Sequence, residues 1–293
     1  MKQIATLFLL CCLSSALRAT DGGNLHFKHL EMKDNLSHYS VMSLYQDAHG
    51  LIWMGTRNGV SVFDGQEMHQ YHHQPDDPNS IMNNYVRGIT GNGSDRIYFL
   101  TLRGICYFDV LRERFQSVTE EQMTAFCYDR RLYMASGRTV FAEREAGREQ
   151  VVQLPDEGGQ VMSLAAHGDS LLIGTEEHGL YLYELGQQRL TPLIPKVHVG
   201  HLFRDRSGTW WVGTWDNGLF RLDAQGITNY RHRDGDPHSL CSDFIRSCCE
   251  DAEGNLWVGT FRGLSQLPRG AQEFVNYYSI QSNSPSVDSS VWS

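Results

Sequence analysis

The fold this sequence predicts is an all-β propeller of four-stranded antiparallel blades. Three observations predict it: a strand signature built on Trp-x-Gly-Thr, its return about every forty residues, and turn chemistry between short apolar runs. Glycine supplies 28 of 293 residues, above the usual background of about 7%. The signature is clearest in Gln46 to Asp64 (QDAHGLIWMGTRNGVSVFD), Arg204 to Asp223 (RDRSGTWWVGTWDNGLFRLD) and Glu250 to Leu267 (EDAEGNLWVGTFRGLSQL). Each copy has an acidic turn ending in Gly, an apolar strand with Trp then Gly-Thr, two or three variable residues, Gly, and another strand.

The chain is taken next in order. Residues 1–19 read as a secretory signal peptide: Lys2, an apolar run from Ile4 to Leu13, and a small-residue exit ending in Ala19. The run is too short to cross about 30 Å of hydrocarbon. Residues 20–35 form a lead-in, and residues 36–284 hold six recognisable blades. Between the strong copies stand three weaker ones, Arg96 to Asp109, Arg131 to Phe141 and Ser170 to Tyr183. The anchors are then Trp53, Tyr98, Tyr133, Leu172, Trp211 and Trp257, spaced 35 to 46 residues apart. A four-stranded blade takes about 40 to 50 residues, and β-helix coils are shorter.

Within the first blade the strands are placed at Val41 to Gln46, Leu51 to Thr56, Val60 to Phe63 and Met68 to His72. The second strand is apolar at nearly every position, as a strand packed on both faces must be. Gly55, Gly174, Gly213 and Gly259 within these strands allow close backbone approach. Asp64, Asp109 and Asp223 recur at the third strand's end as turn formers. His73 to Asn84 and His232 to Asp243 link a fourth strand to the next blade, and Ser284 to Trp292 echoes them. Residues 285–293 therefore read as the start of an interrupted seventh blade, which makes the chain a fragment of something longer. A strand at Leu25 to Leu30 closing the ring is the alternative. Five cysteines follow the signal segment, an odd number without C-x-x-C spacing, and read as buried thiols.

Composition narrows the function classes. Charged residues are 20% and aromatics 11%, so the chain has a core to bury and is not of disordered type. A formal charge of -9 disfavours nucleic-acid binding, which needs a basic face. The repeat signature and the Asp-x-Pro-x-Ser linker together resemble the two-component regulator propeller repeats of hybrid two-component sensors in glycan-degrading gut bacteria. That resemblance covers residues 36 to 293. It implies a periplasmic receptor tethered to the inner membrane, an oligosaccharide ligand, a kinase lying outside this chain, and a homodimer. Membrane contact would come only through segments downstream of this chain.

The variable reversals after each Gly-Thr and the inter-blade linkers are expected to crowd one mouth of the channel. Arg57, Asn58, Arg103, Arg138, His178, Trp215, Asp216, Asn217, Phe261 and Arg262 are the ligand-binding candidates there. Arginine forks suit carboxylated or sulfated sugars. The competing reading pairs them with Glu176, Glu177, Asp76, Asp77, Asp234 and Asp236 as surface ion pairs of little individual worth. Trp215 sits in a turn as a stacking platform, with Phe261 as a second; rim aromatics can equally shield the mouth from water. His72 with His73, and His198 with His201, lack converging ligand spacing, so no metal or other cofactor is expected. No nucleophile elbow, zinc-protease motif or phosphate loop occurs, and no catalytic residue is assigned. A propeller glycosidase or lyase, and a protein-interaction scaffold, are the alternatives to a binding module.

Overall fold

The computed structural model describes residues 30–145 and 147–278. The signal segment, residues 20–29 of the lead-in, the Leu25-to-Leu30 closure apart from its last residue, and the seventh-blade start lie outside them. The described residues from Met32 onward form six sheets, each of four antiparallel strands in meander order.

Blade 1 comprises Val41–Gln46, Ile52–Thr56, Gly59–Phe63 and Met68–Tyr71. Blade 2 comprises Val86–Gly91, Arg96–Thr101, Ile105–Asp109 and Arg114–Thr119. Blade 3 comprises Ala125–Asp129, Arg131–Ser136, Thr139–Arg144 and Gly147–Gln153. Blade 4 comprises Val161–His167, Ser170–Thr175, Leu180–Glu184 and Arg189–Ile194. Blade 5 comprises Val199–Arg204, Trp210–Thr214, Leu219–Asp223 and Gly226–Tyr230. Blade 6 comprises Ile245–Glu250, Leu256–Thr260, Leu264–Leu267 and Val275–Tyr277. The first strand of each blade lies innermost and packs beside the first strand of the next blade.

The acidic turns explain why the signature needs both Asp and Trp. Asp47 Oδ1 accepts the N–H groups of His49 (2.9 Å) and Leu51 (3.0 Å), and its Oδ2 accepts the Trp53 indole N–H at 2.9 Å. Asp205 and Asp251 do the same for Trp211 and Trp257, each at 2.8 Å. One carboxylate thus folds the hairpin and fixes the indole of its second strand. Burial opposes the charge of Asp205, but bonds from Ser207, Trp211 and Thr209 outweigh it and hold that carboxyl below its usual range. Asp64, Asp109 and Asp223 cap turns through their Oδ1 atoms, as the sequence indicates.

The second strands are buried in the interblade core. Trp53 (3% exposed) meets Phe99 and Phe108 of blade 2. The glycines of these strands serve a purpose other than backbone approach. A Cβ on Gly55 would stand 2.7 Å from Val86 Cγ1, and one on Gly213 would stand 2.8 Å from Ile245 Cγ2. On Gly174 it would overlap Val199 Cγ1. Each glycine is a socket for the first side chain of the next blade's inner strand.

Blade 6 departs from this pattern. The nearest atom to a Cβ on Gly259 is Ser247 Oγ of its own blade, at 2.9 Å, and Trp257 is half-buried where Trp53 and Trp211 are buried. On blade 1, Leu44 of the inner strand is 52% exposed. The cysteine expectation needs correcting at two positions: Cys106, Cys241 and Cys248 are buried, but Cys127 is half-buried and Cys249, on the strand face opposite Cys248, is exposed.

Candidate functional site

The Gly-Thr motif builds the reversals that surround the mouth. Thr56 Oγ1 donates to Gly59 O at 3.0 Å and accepts the Asn58 N–H at 3.0 Å; Thr101, Thr175, Thr214 and Thr260 also donate across their reversals. A hydroxyl and a returning glycine therefore close the loop, and the residues between them are free to vary. Gly179, at φ 91°, leaves no room for a Cβ, which would overlap the Ile194 carbonyl.

In blades 1, 2, 4, 5 and 6 a backbone bond then ties the reversal to the linker that precedes its blade, whereas the blade 3 reversal accepts from Leu154 and Val161, which follow it. The N–H groups of Arg57, Leu102, Glu176, Trp215 and Phe261 donate to the carbonyls of Ser40, Tyr85, Gln160, His198 and Phe244. The acceptor is always the residue just before the inner strand. Reversals and linkers thus share one end of the propeller, as expected. Two reversal side chains also reach toward the following blade's linker residue: the Arg57 guanidinium lies over Tyr85 at 5.8 Å, and Trp215 stacks with Phe244.

Across blades 5 and 6 this rule produces an unbroken aromatic arc. The His198 ring stacks on Trp215 with centroids 3.6 Å apart and planes 15° from parallel. Trp215 stacks with Phe244 at 5.5 Å and 18°, and Phe244 meets Phe261 at 5.9 Å. The Arg246 guanidinium sits 4.5 Å over Phe244. Trp215 is 39% exposed and Phe261 58%, so the arc is partly open to solvent. Gly200 makes room for it, since a Cβ there would overlap Trp215 Nε1. Burial pushes the His198 imidazole pKa down, opposed by the charges of Glu176, Asp216 and Glu177, and its Nε2 is buried without a hydrogen-bond partner.

The loop that carries Trp215 is braced from outside. Asn217 Nδ2 donates to Asp216 Oδ1 at 2.7 Å. Arg231 donates to Asn217 Oδ1, to the Asp216 carbonyl and to Asp243 Oδ2. Asp216 and Asn217 therefore hold the platform in place. His178, on blade 4, packs its ring against Gly159. Arg262 follows Phe261, and its charge is felt by the Tyr278 phenol.

The arginines take other partners than the acids expected from sequence. Arg103 pairs with Glu120 at 2.8 Å, and Arg138 pairs with Asp156 at 2.6 Å while donating to the Leu154 carbonyl. Those acids come from the fourth strand side and the next linker of the same blades, so each pair is local. The structure brings Trp215, Asp216, Asn217 and Phe261 together on neighbouring blades, and leaves Arg57, Arg103 and Arg138 on blades 1 to 3. His198, weighed in the sequence only as a metal ligand, and Phe244, Arg246 and Arg231, not singled out there, complete the arc. Aligning the residue before each inner strand (Ser40, Tyr85, Gln160, His198, Phe244) would have exposed the first two.

Comparison with known proteins bears on the repeats and on the fold. The family model "Two component regulator propeller" matches residues 35–58 and 239–262, in blades 1 and 6. Over 78 residues, 27% of this chain, the sequence is 36% identical to Histidine kinase P4 of Formosa agariphila, of which that stretch is 6%. The extracellular domain assigned to hybrid two-component system BT3049 of B. thetaiotaomicron superposes with a TM-score of 0.71 at 22% identity, covering 87% of this chain and 37% of that one. A catalytically inactive virginiamycin B lyase from Staphylococcus aureus superposes at 0.64 and 13% identity, covering 84% and 87%. At such identities the likeness concerns the fold. The chain spans little more than a third of the sensor domain and a small part of the kinase. No helix among the described residues is long and apolar enough to cross a membrane. The chain is a β-propeller that carries two-component regulator propeller repeats in blades 1 and 6.

Proposed function

We propose that this propeller is the ligand-recognising part of an exported two-component sensor, and that it binds an oligosaccharide on the arc formed by His198, Trp215, Phe244 and Phe261. The single observation that carries this reading is the arc itself. Aromatic rings partly open to solvent at a channel mouth offer apolar surface to pyranose rings, and their polar surroundings match the hydroxyl edges. Asp216, Asn217 and Arg246 are within the same neighbourhood to accept and donate those hydrogen bonds. Arg57, Arg103, Arg138, Arg262, Asn58 and His178 form the outer rim, where an acidic or longer glycan would extend. Signalling would pass to a kinase outside this chain, in the periplasm-facing arrangement that the repeats suggest, and pairing of two copies belongs to that step.

Recognition is favoured over turnover because the arc gathers rings and braced amides. Calorimetric titration with a panel of neutral, uronate-bearing and sulfated oligosaccharides tests the proposal. Binding that weakens at least tenfold in Trp215→Ala and in Phe244→Ala supports it. Binding unchanged in both variants rejects the site, and formation of shorter or unsaturated products during the incubation replaces sensing with lyase or hydrolase activity.

A further inference from the structure

The residues whose carbonyls take the reversal bond are Ser40, Tyr85, Gln160, His198 and Phe244. Of these five, His198 alone has a side chain that ordinarily titrates between pH 5 and pH 8. Its contact with Trp215 is double. The His198 carbonyl accepts the Trp215 N–H at 3.2 Å, and its ring stacks on the indole with centroids 3.6 Å apart. Val197 and Val199 are buried on either side of it in the chain, so the backbone is fixed and movement is left to the imidazole.

The stacked position suits a neutral ring. Its Nε2 is buried without a hydrogen-bond partner. In a neutral imidazole that carries its hydrogen on Nδ1, Nε2 has only a lone pair, whereas in an imidazolium both nitrogens carry a hydrogen. A buried, charged N–H without an acceptor costs more than a bare lone pair. The charges around the ring pull the other way. Glu176 and Glu177 stand on the blade 4 reversal and Asp216 on that of blade 5, and all three favour the proton. His178 shares the first reversal, Lys196 shares the linker, and Arg246 lies beyond Trp215, over Phe244. None of these groups bonds Nε2. Burial outweighs the carboxylates and holds the His198 pKa below its ordinary value of 6.5. A protonated ring gains an acceptor for Nε2 only by leaving its stacked position, and the three carboxylates draw it out.

We propose that His198 and Trp215 form a proton-responsive couple: neutral His198 backs the indole and holds the platform, and protonation draws the imidazole toward Glu176, Glu177 and Asp216 and frees the indole. The orientation of Trp215 then changes with pH while its backbone bond to His198 stays. The consequence for binding rests on the oligosaccharide reading above, whereas the couple itself does not. A sugar that needs the backed platform binds at full affinity above the His198 midpoint. Below it, affinity falls by at most about tenfold per pH unit, the limit for one proton.

The couple is tested without ligand, by following the Trp215 indole N–H signal in nitrogen–proton NMR spectra of the parent protein from pH 7.5 to pH 5. The signal is assigned by its loss in Trp215→Phe. The expected result is a shift with a single midpoint below 6.5 that disappears in both His198→Gln and His198→Phe. Thermal unfolding of each variant checks folding, and the second variant keeps a neutral ring beneath the indole. A signal that stays in place over this range, a midpoint above 6.5, or the same movement in either folded variant would overturn the proposal. Calorimetric titration with the oligosaccharide panel then tests the consequence: parent affinity should fall about threefold or more between pH 7 and pH 5, and His198→Phe should vary less than about twofold. Affinity equally pH-dependent in both would overturn the link between the couple and binding. Absence of binding at every pH would reject the oligosaccharide reading and leave the NMR result to decide the couple.

Discussion

Gly200 and His201 are neighbours on one strand with opposite duties, and both are testable as single residues. Gly200 is the space in which the Trp215 indole rests. Gly200→Ala should displace that ring, shift its fluorescence, and weaken oligosaccharide binding about tenfold, with a smaller loss of stability; unchanged affinity with unchanged fluorescence would contradict this placement. Burial pushes the His201 pKa down to about 4, against 6.5 for a free imidazole. The unfolded chain therefore binds the proton first as pH falls, so stability is fully present above about 6.5 and is lost progressively between about 6.5 and 4. The loss attributable to this group is about 3 kcal/mol. Urea unfolding of the parent and His201→Gln at pH 7 and pH 5 checks it, and the pH dependence should be smaller in the variant.

At the scale of strands and turns, the recurring glycine of each second strand is a socket for the neighbouring blade, and its cost of substitution should depend on whether a neighbour fills it. Gly55→Ala forces Cβ against Val86 and Ile89 of the next blade and should cost about 1–3 kcal/mol by overpacking. Gly259→Ala meets only the Ser247 hydroxyl of its own blade and should cost less; equal losses in urea unfolding would refute the socket. The strands themselves were legible in the sequence because turn residues and two-sided burial leave strong marks: Val41–Gln46 is where the spacing puts it, and the others of blade 1 differ by a residue. The aromatic arc was only half legible. Trp215 and Phe261 stand out as large apolar residues in turns, whereas His198 and Phe244 lie in linkers whose repeat is blurred by variable length. Phe244 reaches Trp215 only across a blade boundary, a contact that no local pattern encodes. The arginine partners were misjudged for the same reason, since Glu120 and Asp156 are close in space through the blade's own edge.

Across the whole molecule, equivalent positions carry unequal side chains, and function follows from that inequality. The backbone bond that joins reversal to preceding linker recurs in five of the six blades, so the scaffold there is nearly uniform. What differs is the chemistry placed on it: cationic over blades 1 to 3, with Arg103 and Arg138 paired, acidic on blade 4 at Glu176 and Glu177, aromatic over blades 5 and 6. A ligand bridging this mouth would therefore have a fixed orientation, with sugar faces on the arc and any acidic groups toward the arginines. Saturation-transfer NMR on the parent protein with a bound oligosaccharide tests this most directly. The account predicts that irradiating the aromatic resonances transfers magnetisation to the pyranose ring protons, and that Trp215→Ala abolishes the transfer while the fold persists. Transfer that survives in Trp215→Ala and Phe244→Ala alike would contradict it.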